Sequence, residues 1–430
     1  MNNQFTFEGS QKRLFLGMII LGVICMASTF LFDDDALHTR FWTNFLHNSV
    51  FFTGIAFILL FFYAASTLAY AGWFVNFKRV FEGYAQFLPI GLIFMLVVVA
   101  GIWGHFHHLY HWTDASLIDP SSPNFDPVVA GKSGFINKYW YTFGTIIIVG
   151  VWAFCGYKLR QLSLDEDRNP TTDYNQYRQF KKYAAFFMFF GAFSSAAMLW
   201  QWVMSIDVHW YSTMFAWYSS ASLLVAGLAL VIATLIYLKS KGYYESVLPD
   251  HFHDLGKYIF GFSVFWTYLW FDQFMLIWYA NNGEETVYFQ ERFENYSILF
   301  YGNLAINFIL PFFVLMRNSV KRKAGIMMFA AIMLFFGHWL DFFLMIKPGA
   351  RITAEEALAH GHHAEAALHE AAHHGSNFAM GFTIPGLLEV GTMLGFLGLF
   401  LYVGFSQLAK ASLEPKNDPY LGEALHHEVI

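Results

Sequence analysis

The stretch from Leu14 to Phe32, LFLGMIILGVICMASTFLF, holds no charged residue in nineteen positions. As a helix rising 1.5 Å per residue it covers about 28 Å, close to the ~30 Å hydrocarbon core of a bilayer. Lys12 and Arg13 precede it, as in a secretory signal, but Asp33, Asp34 and Asp35 follow without a small-x-small cleavage pattern. It therefore reads as a retained membrane helix. Similar runs recur, centred near Val23, Leu60, Val97, Ile147, Phe190, Leu224, Phe265, Ile306, Leu334 and Gly395. The expectation is one polytopic, all-α integral membrane domain over residues 1–430, with ten transmembrane helices.

Composition agrees. The 430 residues are 57% hydrophobic and 20% aromatic, and only 13% are charged, about half the ~25% usual for soluble chains. The net charge of -6 says little, but the placement of basic residues says more. Six of the 25 lie in one set of loops (Arg40, Lys132, Lys138, Arg292, Lys347, Arg351), leaving 19 on the other side with both termini. The positive-inside rule then makes both termini cytoplasmic, including the tail 407–430. Cys25 and Cys155 sit in apolar runs with no C-x-x-C spacing, so they read as buried thiols. Gly391 and Gly395 form a G-x-x-x-G, a helix-packing signal.

Apart from His251, His253, His426 and His427, the histidines fall at the outer side. The segment 347–381 is expected to be a His/Ala-rich outer, periplasmic loop between the ninth and tenth helices. It contains His369, Glu370 and His373 as H-E-x-x-H, whose spacing on a helix suits zinc and a water-activating glutamate. That reading would make the chain a membrane-embedded zinc metallopeptidase. A tract built mainly of Ala, His and Glu produces the match by chance, and a solvated surface insertion is the preferred reading.

Ionisable residues at the ends of apolar runs are more informative, because the membrane makes them costly. The third span ends with His105, His107, His108 and His111, a polar cluster able to pair with a redox molecule's oxygens. The fifth ends with Asp207 and His209. The seventh carries Asp272, followed by Tyr279 and Glu284. The ninth has His338 and Asp341 one helical turn apart, and the tenth starts with Glu389 about two turns inside its outer end. Helices three, five, seven and nine all run outward, so these groups converge as candidates for a proton path. A stand-alone proton-coupled transporter would use the same residues. No two histidines are expected at comparable mid-membrane depth on separate spans, which disfavours b-type haem.

The segments MSIDVHWYSTMFAWY (204–218), FDQFMLIWYANNGEET (271–286), GHWLDFFLMIKP (337–348), HHLYHWT (107–113) and the tail EPKNDPYLGEALHH together resemble the polysulfide-reductase/NrfD-like membrane subunits. The similarity is greatest to the second NrfD-like subunit of alternative complex III, and it covers nearly the whole chain. The resemblance implies two four-helix bundles, helices 2–5 and 6–9, with peripheral helices 1 and 10. It implies a bacterial cytoplasmic (inner) membrane location in a respiratory quinol:electron-acceptor oxidoreductase. Partners would be a related quinol-oxidising subunit, an iron-sulfur protein, multihaem and monohaem cytochromes c and a terminal oxidase. Haem and Fe-S clusters would sit on those partners, with menaquinone or ubiquinone as the quinone. No arginine is expected at the outer ends of helices two to five, so the resemblance implies a supporting, proton-conducting role rather than direct quinol oxidation.

Overall fold

The computed structural model describes residues 4–32, 37–170, 174–360, 381 and 383–428, with side chains omitted over 355–360. The described residues form helices, and Gln4 pairs with Ser412 in an isolated β-bridge. The long helices are α1 (Gly9–Leu31), α2 (Thr39–Leu68), α3 (Val75–Gly104), α4 (Lys138–Arg168), α5 (Asn175–Ile206), α6 (Phe215–Ser240), α7 (Pro249–Ala280), α8 (Ser297–Leu315), α9 (Ala324–His360) and α10 (Leu387–Leu408). All but α7 are long and apolar enough to cross a membrane, nine among the described residues. The α7 helix has 32 residues, ample length, but its tryptophans, tyrosines, Asp272 and Gln273 lower its apolar character.

Prolines account for the irregularities. Pro89 opens the second part of α3, Leu88–Gly104, where its missing N–H is harmless. In α8 a wide π-helical stretch, Ala305–Ile309, stands just before Pro311, where the regular hydrogen-bond ladder cannot continue. The α9 helix runs through Pro348 to His360. Residues 347–360 of the expected 347–381 segment are therefore helical, and neighbouring helices hold them where Pro348 would locally end a helix. The H-E-x-x-H residues His369, Glu370 and His373 lie outside the described residues.

The α2 helix packs against α3, α5, α6, α9 and α10. Its buried positions occur on every side, so it is hydrophobic nearly all round rather than amphipathic. The α6 helix is enclosed in the same way and packs on α7 and α9. By contrast α1 touches chiefly α10 and leaves Leu14, Ile20, Val23 and Ile24 exposed. Gly22 and Gly395 mark that crossing. A Cβ on either would lie 2.4 Å from the other's Cα, so only glycine permits this approach. Gly391 likewise faces the Cys25 sulfur.

Candidate functional site

The α5 helix ends in a tight turn, Met204–Ile206, that delivers Asp207 to a cleft of about 770 Å³. His111, Asp126, His209, Glu284, Tyr288 and Gly349 also line it. Asp207 enters beside α9 because residue 349 is glycine; a Cβ there would sit 2.6 Å from Asp207 Oδ1. Arg292, only 3% exposed, reaches Asp207 Oδ2 at 3.4 Å from the short helix Gly283–Glu294. Its Nε donates to the Leu344 carbonyl at 3.2 Å and one terminal nitrogen to the Tyr288 carbonyl at 2.6 Å. The guanidinium lies 3.3 Å from the Tyr288 ring centre, and Tyr288 in turn stacks on Trp210 at 3.8 Å. Burial pushes the Asp207 carboxyl above its usual range against the pull of Arg292.

Beside it, His209 Nε2 and Asp126 Oδ2 lie 2.6 Å apart. Burial works upward on Asp126, but the hydrogen bond with His209 and the N–H groups of Val129 and Val128 hold it below the ordinary carboxylate range. Lys132 donates to the Val208 carbonyl at 2.5 Å. Arg292, His209 and Lys132 beside this cleft are thus engaged with protein groups, while the Trp210 indole N–H has no hydrogen-bond partner among the described residues.

A smaller void, about 20 Å³, lies next to Arg292 and is lined by Tyr218, Gln273, Tyr288 and Asn303. It is large enough for one water. Beyond it stands Asp341, fully buried on α9. Its carboxylate accepts from the Tyr218 hydroxyl, from Trp266 Nε1 at 2.8 Å and from Asn303 Nδ2 at 2.8 Å. One turn away His338, also fully buried, meets Ser222 Oγ through Nδ1 at 3.0 Å. Its Nε2 has no hydrogen-bond partner among the described residues. Asp207, Arg292, Asp341 and His338 therefore form a polar file from the cleft into the space among α6, α7, α8 and α9.

Other expected site residues fall elsewhere. Glu389 belongs to the first turn of α10, not two turns inside. Arg40 holds it with Nε at 2.8 Å and a second nitrogen at 3.0 Å, and Asn44 Nδ2 adds a bond at 2.9 Å. Glu389 also accepts from the Gly386 N–H at 2.9 Å, a helix-start bond. Its role is to tie α10 to α2, so it does not extend the file. Arg40 also corrects the expectation that no arginine stands at the outer ends of helices two to five, since it occupies the first turn of α2. Asp272 is half-buried on the outer face of α7 and joins none of these groups. Tyr279 is 85% exposed, and Glu284 reaches only the rim of the cleft. Of the third-span histidines, His111 lines the cleft, while His107 folds back onto α3, 3.2 Å from the Val98 carbonyl. His105 is the left-handed residue that ends α3, and His108 packs near His111 without reaching the cleft lining.

Sequence reasoning missed the polar stripe of α2. Arg40, Thr43, Asn44, His47 and Asn48 recur at three- and four-residue intervals, a face legible in TRFWTNFLHNS. Lys347, fully buried, donates to Thr43 Oγ1 at 2.8 Å and Asn44 Oδ1 at 2.7 Å. His47 meets the Trp339 carbonyl at 3.0 Å, so His47 on α2 and His338 on α9 are buried histidines on separate long helices. A second buried cluster lies at the other ends of the helices. There Glu82 accepts from Tyr63, Ser163 and Arg79 at 2.9, 2.6 and 2.8 Å.

Among the described residues no group of three or more His, Cys, Asp or Glu is placed to hold a metal ion. No family model matches the chain, and no curated protein matches it.

Proposed function

We propose that this chain is a multi-pass membrane subunit of a quinol:electron-acceptor oxidoreductase of the NrfD-like kind, and that it carries protons between its outer cleft and the membrane interior. In this reading the ten long helices all cross the bacterial inner membrane, with both termini cytoplasmic. Helices α2–α5 and α6–α9 act as two bundles, and α1 and α10 stand at the periphery. A related subunit oxidises the quinol, and iron-sulfur and cytochrome c partners carry the electrons. The observation that carries the proton role is the file Asp207–Arg292–Asp341–His338, interrupted by a water-sized void and ending on an unpartnered imidazole nitrogen.

Chemically, Asp207 exchanges protons with the cleft, and Arg292 favours its charged form and limits how long it stays neutral. Asp341 receives the proton through the void, with Tyr218, Trp266 and Asn303 stabilising the charge when it leaves. Ser222 and His338 continue the hydrogen-bonded chain inward. Moving a proton charge against 100 mV costs about 2.3 kcal/mol, so net transport needs coupling to the redox partners.

The test is the assembled complex in proteoliposomes. Asp341→Asn keeps the shape and much of the hydrogen bonding but removes the titratable group. Proton release per electron is expected to drop while quinol oxidation under uncoupled conditions persists. Undiminished proton release in Asp341→Asn sinks the proton role, and purification without redox partners sinks the subunit role.

A further inference from the structure

One face of α7 runs along the outside of the molecule. Phe265, Tyr268, Phe271, Met275, Leu276 and Tyr279 are all exposed on it, between 37% and 85%. Gly261, Phe265, Tyr268, Asp272, Met275 and Tyr279 repeat every three or four residues, so they form one stripe. From Gly261 to Tyr279 it extends about 27 Å, nearly the thickness of a hydrocarbon core. The exposed faces of α1 and α5 between their charged ends, by comparison, carry only apolar and small polar side chains.

Asp272 sits within this stripe, about 12 Å along the helix from its Ala280 end. No hydrogen bond or ion pair reaches its carboxylate from any described residue. A carboxylate at that depth against lipid is costly, and intramembrane acids normally face a partner. At the other end of the stripe lies a groove of about 430 Å³ bordered by Trp73, Tyr258, Gly261, Phe262 and Phe265. A Cβ on Gly261 would meet nothing within 4 Å, so a second helix has room to approach closely here.

We infer that this α7 face is the docking surface for a transmembrane helix of a different polypeptide, which places a Lys or Arg side chain against Asp272. Charge selects the occupant. A second copy related by a two-fold axis on this stripe would bring one Asp272 towards the other, setting like charges together. A helix with a cation at matching depth pairs the acid and fills the groove beside Gly261. The inference rests on the proposed reading in that α7 crosses the bilayer and meets a membrane partner, and it does not depend on the proton file.

The test uses the full chain in its own membranes, with a photo-cross-linking amino acid at Leu276 and a control at Phe193 on α5. Cross-linked peptides are identified by mass spectrometry. The expected result is a cross-link from Leu276 to a transmembrane segment of another polypeptide, with a Lys or Arg within one turn of the attachment point. Asp272→Lys is expected to reduce co-purification of that polypeptide on the order of tenfold, and Asp272→Asn to reduce it less. Changing the partner's basic residue to Asp is expected to restore binding to Asp272→Lys. Cross-links to lipid alone, to a second copy of this chain or to a helix without a basic residue overturn the assignment. So does undiminished co-purification in both Asp272 variants. If redox partners still co-purify while Leu276 captures no polypeptide, the docking surface falls and the assembly reading stands.

Discussion

His107 shows how one side chain can couple the loop after α3 to pH. It packs against Gly101 and lies 4.7 Å from the Trp42 ring, and burial lowers its pKa from 6.5 to about 4. Between those values the unfolded chain binds the proton and the folded chain does not. The stabilisation is therefore complete above about pH 6.5 and is lost as pH falls towards 4, a change of about 3 kcal/mol. Thermal unfolding in detergent should show a steeper loss from about pH 7 to 4.5 in the wild type than in His107→Gln. Glu389 makes a different case. Glu389→Gln removes the charge of the Arg40–Glu389 pair, at an expected cost of about 2 to 3 kcal/mol, below the ~3 to 5 for fully buried pairs because Arg40 is partly exposed. The melting temperature should fall while proton release is unaffected; the reverse pattern would put Glu389 on the proposed proton path.

At the scale of elements, the α1–α10 crossing depends on two glycines. Gly395→Ala puts a methyl group 2.4 Å from the Gly22 backbone, which cannot yield as a side chain would. The helices must separate, and in a membrane their association rests on such close packing. The variant is expected to melt lower and to expose α1 to protease, whereas Gly17→Ala, with nothing within 4 Å, should behave as wild type. The G-x-x-x-G of α10 was legible as a packing signal, but its partner was not, because Gly22 lies in an unremarkable apolar run. The stripe of α2 was legible in spacing and escaped notice among bulky apolar neighbours. The extension of α9 was hidden for a physical reason, since a proline normally signals a stop and only tertiary packing carries the helix through it.

At the scale of the molecule, the tail closes the basic side. Asp418 pairs with Lys78, Asp167 Oδ1 accepts from the Lys416 N–H at 2.7 Å, Glu414 accepts from Ser246, and the Ala424 carbonyl meets His251 at 3.1 Å. These contacts reach α3, α4, the α6–α7 connection and α7, so the tail straps elements far apart in sequence. Truncation after Ala411 leaves Lys78 without its nearest acidic partner and His251 without its carbonyl. The truncated chain should unfold at clearly lower temperature, with protease sites appearing near Lys78 and His251; unchanged melting would show that the strap contributes nothing.

The apolar runs by themselves determined an all-helical chain with membrane-length helices, because a span must satisfy its own backbone and only length and hydropathy are needed to see it. They also placed Asp207, His209, His111 and Glu284 at helix ends on one side, and these share the cleft. Tertiary structure alone decided which charges pair. Arg292 meets Asp207 across 85 positions of chain, and Arg40 meets Glu389 across 349. The same packing encloses Asp341 and leaves Asp272 outside, although each is a single acid in an apolar run. Helix periodicity states which residues share a face, and only the neighbouring helices determine whether that face meets a partner, a cavity or lipid.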